Sequence, residues 1–204
     1  MKKIERFLLA SLGMTLINVG VAFVALTRIG EDSLTLLMQA LYNNFGRTLG
    51  TWSTILGIIF VAVALFCDRK KIGYSTLFYV ITSKYIIDGV MYVCPASTSF
   101  IMDAVYCVAG IIIITLGSAF GICARLGLSY YDAFCFSVSE RFKLKYVYFR
   151  YAVEAFFIIV SLFLHTYPGI GTIIYFVALG PCITFTLKLI KAPIRKHLGL
   201  EVEN

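Results

Sequence analysis

Long uncharged runs dominate the chain, and their lengths decide what they can be. Six stretches, at residues 7–27, 50–67, 72–93, 104–124, 146–167 and 169–189, are largely apolar. A helix crossing a hydrocarbon core of about 30 Å needs about 20 such residues. The 50–67 run is the shortest, and its uncharged sequence extends back to Thr48. Two further apolar segments, 33–45 and 130–142, reach only roughly 20 Å as helices, too short to span unaided. They are expected as re-entrant or interfacial helices. The pattern thus predicts an all-α membrane protein: six transmembrane helices and two short helices in one polytopic domain.

Composition agrees. Hydrophobic residues make up 60% of the 204 positions and charged residues 14%, with a mean hydropathy of +0.88. Soluble domains are roughly 45–50% apolar and about a quarter charged. Disordered, fibrous and disulfide-scaffold classes are excluded on the same ground. The net charge of +7 would suit nucleic acid, but the basic residues lie between apolar runs. No aromatic–basic alternation or zinc spacing accompanies them, so no nucleic-acid partner is expected and the partner is the lipid bilayer. Met1-Lys2-Lys3 resembles the start of a signal peptide. The following run is too long for that and lacks a clear cleavage site, so it reads as a retained first helix.

Placement of charge orients the chain. With six crossings and the N-terminus inside, fourteen of the eighteen Lys and Arg residues fall on the cytoplasmic side, as the positive-inside rule requires. Only Arg28 and Arg47 lie outside, and Lys84 and Arg150 lie within spans. If the short segments also crossed, the Asp68-Arg69-Lys70-Lys71 cluster would move outside. Both termini are therefore expected in the cytoplasm of a bacterial cell, with the protein in the plasma membrane and residues 191–204 as a cytoplasmic tail.

Self-comparison shows a repeat. A shift of 97 residues aligns Gly13 with Gly110, Gly20 with Gly117, Ala22 with Ala119, Phe23 with Phe120, Arg28 with Arg125, Gly30 with Gly127 and Phe45 with Phe142. Both halves, about 7–93 and 104–190, read as long helix, short helix, long helix, long helix. Three crossings per half is odd, so the second copy is expected upside down relative to the first. Inverted-topology repeats are common in secondary transporters.

The chain resembles the YczE/YyaS/YitT group of bacterial membrane proteins, closest to its YczE-like branch. The residues that carry the likeness are Gly117-Ser118-Ala119, the run Arg125-Leu126-Gly127-Leu128-Ser129-Tyr130-Tyr131-Asp132-Ala133, Gly169-Ile170-Gly171-Thr172 and Gly180-Pro181. In the first half, Arg28-Ile29-Gly30-Glu31-Asp32-Ser33 keeps part of this motif, and Lys71-Ile72-Gly73-Tyr74-Ser75-Thr76 approximates the Gly-Ile-Gly-Thr element. The resemblance implies a membrane fold and no particular substrate.

Candidate chemistry is sparse. Ser129 and Asp132 form an S-x-x-D capping box that would open the second short helix. With Arg125 four residues earlier, that helix N-terminus would suit an anionic group. Arg28 with the helix at Ser33 would be the related copy on the outer side. The plainer reading has both arginines anchoring helix ends at headgroups. Lys84 and Asp88 stand one helical turn apart near mid-span. They read either as a self-neutralising pair or as a substrate or coupling site, because charges at that depth usually face a bundle interior. Arg150 and Glu154 repeat the spacing, and Glu154 would otherwise be an isolated membrane carboxylate that tends to keep its proton.

Gly117 and Gly121 make a G-x-x-x-G expected to pack closely within the fold, with homodimerisation as the weaker option. Gln39, Asn43 and Asn44 with Asn18 and Thr184 are polar cavity candidates, and Gly169–Thr172 reads as a helix start. The six cysteines are scattered and read as small buried hydrophobes, with a Cys94–Cys107 disulfide as the alternative. His165 and His197 sit near span ends. No metal, cofactor or catalytic motif is recognised, so an enzyme is not expected.

The expected function is alternating-access transport of a small solute, anionic or zwitterionic. Its alternatives are a substrate-binding membrane subunit needing an energising partner, or an accessory protein of a membrane enzyme. A homodimer or a partner subunit is compatible with each.

Overall fold

The computed structural model describes residues 2–198, with side chains over 3–190. Among the described residues every regular element is helical: α1 (Lys2–Ala25), α2 (Ser33–Phe45), α3 (Leu49–Cys67), α4 (Tyr74–Val93), α5 (Phe100–Ala124), α6 (Tyr130–Arg141), α7 (Tyr146–Phe163) and α8 (Ile170–Leu198), with a short 3-10 turn at Arg69–Lys71. Five helices are long and apolar enough to cross a bilayer, namely Lys3–Ala25, Leu49–Cys67, Phe100–Ala124, Tyr146–Phe163 and Ile170–Ile190. The chain is an all-α membrane protein. The sixth expected span, α4, has 20 residues and falls outside that set, because Lys84, Asp88 and several Ser, Thr and Tyr residues lower its apolarity. The expected tail is helical as far as Leu198. Residues 199–204 lie outside the described residues.

Side-chain caps set the starts of four helices. Asp32, Thr48, Ser99 and Ser129 each accept a hydrogen bond from the backbone N–H three residues on. These caps satisfy amide groups that a helix leaves free at its first turn.

The centre is an antiparallel crossing of α1 and α5. A Cβ added at Gly13 would stand 2.7 Å from the Gly117 carbonyl oxygen, and one at Gly20 would stand 3.1 Å from that of Gly110. Only glycine lets the two backbones approach this closely. Gly121 packs on Met14, so the G-x-x-x-G face is covered by α1 and is not free for a second copy. Against this pair, α4 lies along α1 and α8 along α5, while α6 lies on α3 and α2 on α7.

Contacts define the two ends of the bundle. At one end, Arg6 donates to the carbonyls of Ala124 (3.0 Å) and Arg125 (3.2 Å), and Lys71 pairs with Glu140 at 2.7 Å. At the other end, the Arg28 amide and guanidinium both bind Asp103, and Asn44 donates to Leu164 O at 2.8 Å. The six long helices run alternately between these ends.

Each short helix covers only half that distance. α6 begins with Tyr130 stacked on Tyr79 (4.7 Å) and packed over Gly57, midway along α3. It ends where Ser137 donates to Asp68 O. α2 begins beside Glu154, midway along α7, and ends at Leu164. The N-termini of both therefore meet in the middle of the bundle, and their C-termini point to opposite ends.

Two loops are exchanged between the halves with the same geometry. A Cβ on Gly73 would overlap the Leu126 carbonyl oxygen, and one on Gly169 would overlap that of Ile29. Ser75 N donates to Leu126 O (2.9 Å) and Gly171 N to Ile29 O (2.7 Å). The next residues, Gly30 and Gly127, have φ of +125° and +113°, a region open to glycine at little cost.

The halves differ in the packing of their last two helices. α3 packs along α4, with Thr54 Oγ1 3.0 Å from Ser83 Oγ. The backbones of α7 and α8 stay apart, and the rings of Tyr151 and Phe176 face each other across the gap at 5.0 Å.

Substituting Gly73 or Gly169 by Ala should cost about 1–3 kcal/mol, the usual penalty of overpacking. Gly89→Ala, in open space on α4, should hold or raise stability, since Ala is the better helix former by about 1 kcal/mol. Melting temperatures in detergent will show both, and equal tolerance at all three positions would contradict the exchanged-loop contacts.

Candidate functional site

Between α7 and α8 lies a cleft of about 540 Å³. It runs from the middle of the bundle toward the basic end, where Tyr146 of α7 and Leu187 of α8 line it. Its floor is made by the first residues of both short helices, Asp32-Ser33-Leu34 and Ser129-Tyr130-Tyr131-Asp132. Ile17, Val21 and Ile114 of the central pair form the back wall.

Arg150 is the hub. Its Nε donates to Glu154 Oε1 at 2.9 Å, and its Nη1 lies 3.3 Å from Asp132 Oδ1 and 2.9 Å from the Tyr146 hydroxyl oxygen. Tyr146 donates to Asp132 Oδ1 (3.1 Å), Tyr131 to Glu154 Oε1 (3.4 Å), and Ser129 Oγ to Asp132 Oδ2 (2.8 Å). The guanidinium also lies over the Tyr131 ring, 5.4 Å from its centre. One cation thus serves two carboxylates. Such a network is required here, because leaving a buried charge unpaired is far costlier than pairing it.

On the other side of the floor, Asp32 caps α2. Its carboxylate accepts from Thr35 N (3.2 Å) and Thr35 Oγ1 (2.5 Å). The two short helices carry the same chemistry with roles exchanged: Asp caps and Thr sits three residues on in α2, whereas Ser caps and Asp sits three residues on in α6. Burial pushes the Asp32 carboxyl above its ordinary range, opposed by the Thr35 hydrogen bonds. The adjacent Glu31 is 8% exposed, and its Oε2 has no hydrogen-bond partner among the described residues. Burial, with the neighbouring Asp32 charge, holds it well above the usual carboxylate range.

The structure brings four of the eight candidate residues together: Ser129, Asp132, Arg150 and Glu154. It places the other four elsewhere. Arg28 is tied to Asp103 by its amide (2.8 Å) and its side chain (3.3 Å), so it closes a loop and does not face the cleft. Arg125 is the left-handed C-cap of α5, with φ 53°, and is not part of the cleft lining. The expected anion sites combining these arginines with the helix N-termini are therefore not formed, because Asp32 and Asp132 already occupy those N-termini.

Lys84 and Asp88 make no ion pair with each other among the described residues. The free N–H of Gly50 at the start of α3 takes Asp88 Oδ1 at 2.9 Å, and Lys84 lies exposed on the outer face of α4. The Cys94–Cys107 disulfide is also not formed, and Cys107, Cys123 and Cys135 are buried. Of the other polar candidates, Thr184 lines the cleft, while Asn18 donates to Thr82 at 3.3 Å.

Asp32, Glu31, Tyr131, Tyr146 and Asp103 escaped the reading of the sequence. The exchanged Asp/Thr and Ser/Asp caps were the available signal for Asp32. Nothing local marks Tyr146, whose role depends on α6 and α7 being neighbours.

A charged, tyrosine-rich cleft at the meeting point of two half-length helices defines a helical membrane protein with a central polar site. Within that class, a family model described as a family of unknown function, DUF6198, matches residues 4–188, and the chain belongs to that family. It is also similar to an uncharacterized protein of Haemophilus influenzae, 21% identical over 177 residues that cover 87% of this chain and 81% of the other. No solved structure matches the chain.

Two tests follow from the site. A carboxyl with a raised folded-state value stabilises the fold fully below the ordinary carboxylate range and loses that contribution as pH rises through the raised value. Stability should therefore fall with rising pH above that range, by about 1.4 kcal/mol for each unit of elevation, and the melting temperature with it. Glu31→Gln should lessen the fall, and an unchanged slope would contradict this burial. Arg150→Met should cost roughly 3 kcal/mol by stranding two carboxylates, and adding Asp132→Asn and Glu154→Gln should recover much of it in a denaturation series.

Proposed function

We propose that this protein is a small-solute transporter of the bacterial plasma membrane that works by alternating access between two inverted repeats. The observation that carries the reading is the unequal packing of otherwise matching halves. In the first half α3 and α4 are closed on each other, and in the second α7 and α8 are parted over a charged cleft. Two arrangements of one repeated unit, present side by side, are what rocking between two states requires.

In this reading α4 is the sixth span, both termini are cytoplasmic, and α2 and α6 are re-entrant half-helices. The basic end of the bundle is the cytoplasmic side, so the cleft faces inward. The matched glycine crossing and the exchanged loops support the repeat, since an inverted pair related by a two-fold axis generates each contact twice. The likeness to the YczE-like group fits a membrane fold of this kind.

In the opposite state α7 and α8 close while α3 and α4 part. Tyr151 and Leu179 are the counterparts of Thr54 and Ser83, since α3 and α7 are related by the 97-residue shift and α4 and α8, through the matched contacts of Gly73 with Gly169 and Ser75 with Gly171, by one residue less. In a background without native cysteines, Tyr151→Cys/Leu179→Cys should therefore form a disulfide on mild oxidation of membranes, although the two helices stand apart here. Absence of that disulfide, with both thiols reactive to maleimide, would contradict alternating access.

A further inference from the structure

The sign of charge in the cleft is informative beyond the transport reading. Three carboxyl groups line it, on Asp32, Asp132 and Glu154, against one guanidinium, on Arg150. Arg150 offsets one charge of the Asp132–Glu154 pair, so the cleft lacks a positive charge even with Asp32 protonated. The partial positive charges of the two helix N-termini do not reverse this. A helix end amounts to about half a charge, and each already has its own carboxylate, Asp32 at one and Asp132 at the other. Arg150 is the only cation among the lining residues, and it already holds two carboxylates.

The walls have a matching chemistry. Tyr131, Tyr146, Tyr151 and Phe176 present accessible rings beside the carboxylates, with Tyr79, Tyr130 and Tyr175 buried behind them. Aromatic faces attract cations electrostatically and are the usual means of holding quaternary ammonium groups. Here one ring already does so, since Arg150 sits over Tyr131. Further along the cleft toward the basic end, Leu179, Ile183, Leu187 and Ile122 provide apolar surface. The gap between α7 and α8 is flanked by exposed Val147 and Val177, 54% and 65% accessible, which belong to the lipid-facing belt.

We propose that the solute is an organic cation with an apolar body, its ammonium group held among the tyrosines beside Asp132 and Glu154 and its chain lying along α8. This inference rests on the transport reading for its purpose but not for its chemistry, which is a property of the cleft alone.

The test is ligand binding to the full-length protein in detergent, read as a thermal shift and by calorimetry, since a ligand of the native state raises apparent stability. The probes are choline and hexyltrimethylammonium as cations, 3,3-dimethylbutanol as the uncharged counterpart of choline, and hexanesulfonate as the anion. Stabilisation by hexyltrimethylammonium, weaker stabilisation by choline, and none by the alcohol or the sulfonate are expected. Asp132→Asn and, as a milder change that leaves the ion network intact, Phe176→Leu should each weaken the cation by about tenfold or more. Lys84→Gln, outside the cleft, should leave it unchanged.

Stabilisation by hexanesulfonate, equal stabilisation by the alcohol, or no response to either cation would each overturn the proposal. The Tyr151→Cys/Leu179→Cys disulfide separates the two levels. If it forms while cations fail to bind, the solute class is wrong and transport stands. If it does not form, the transport reading itself fails whatever the binding result.

Discussion

Everything in this protein is arranged about the contact between the backbones of α1 and α5. In a bilayer the lipid chains are as apolar as the helices, so burial of apolar side chains supplies little drive for helices to associate. Close van der Waals packing through small residues has to do so instead. Gly13 and Gly20 on α1 meet Gly117 and Gly110 on α5, and the four positions are pairwise related by the same 97-residue shift. That crossing fixes where α4 and α8 lie, where the two exchanged loops fall, and hence where the N-termini of α2 and α6 converge. The polar site is a consequence of this geometry. Two half-length helices must bury their free amide ends at mid-depth, and the caps Asp32 and Ser129, with Asp132, satisfy them there.

Placing carboxylates at that depth creates an electrostatic problem that the surroundings solve in part. Arg150 balances one of the Asp132–Glu154 pair, and Tyr146, Tyr131 and Ser129 supply the remaining donors. Glu31 is handled differently: burial favours its neutral form. The same chain thus leaves one carboxyl oxygen buried without a hydrogen-bond partner among the described residues and gives two other carboxyl groups a shared cation. The cleft that results sets three carboxyl groups and one guanidinium beside aromatic faces, between α7 and α8.

The extent of the helices was legible in the sequence, and lateral neighbourhood was not. Hydrophobic run lengths placed the long helices to within a few residues, except that α8 continues to Leu198, and the S-x-x-D box placed the start of α6 at Tyr130. The i,i+4 spacing of Arg150 and Glu154 correctly paired them, because both partners lie on one helix. The identical spacing of Lys84 and Asp88 failed, because a free N–H of α3, on a different helix, competes for Asp88. Arg28 went to Asp103 for the same reason, a partner 75 residues away. Tyr146 joins the network only because α6 packs beside α7. What the sequence left unread are contacts between helices whose adjacency depends on the crossing of α1 and α5. The duplication could have supplied that adjacency, since each inter-helix contact of one half implies its mate in the other.

The central claim is that the two halves exchange conformations, so that closing α7 on α8 opens α3 from α4. The most direct measurement is the spin-label distance between α3 and α4, with labels on exposed positions of each helix. It would be taken in lipid before and after cross-linking Tyr151→Cys to Leu179→Cys. The account predicts that the cross-link lengthens the α3–α4 distance and that reduction restores it. An α3–α4 distance that stays the same with α7 and α8 locked together would contradict it.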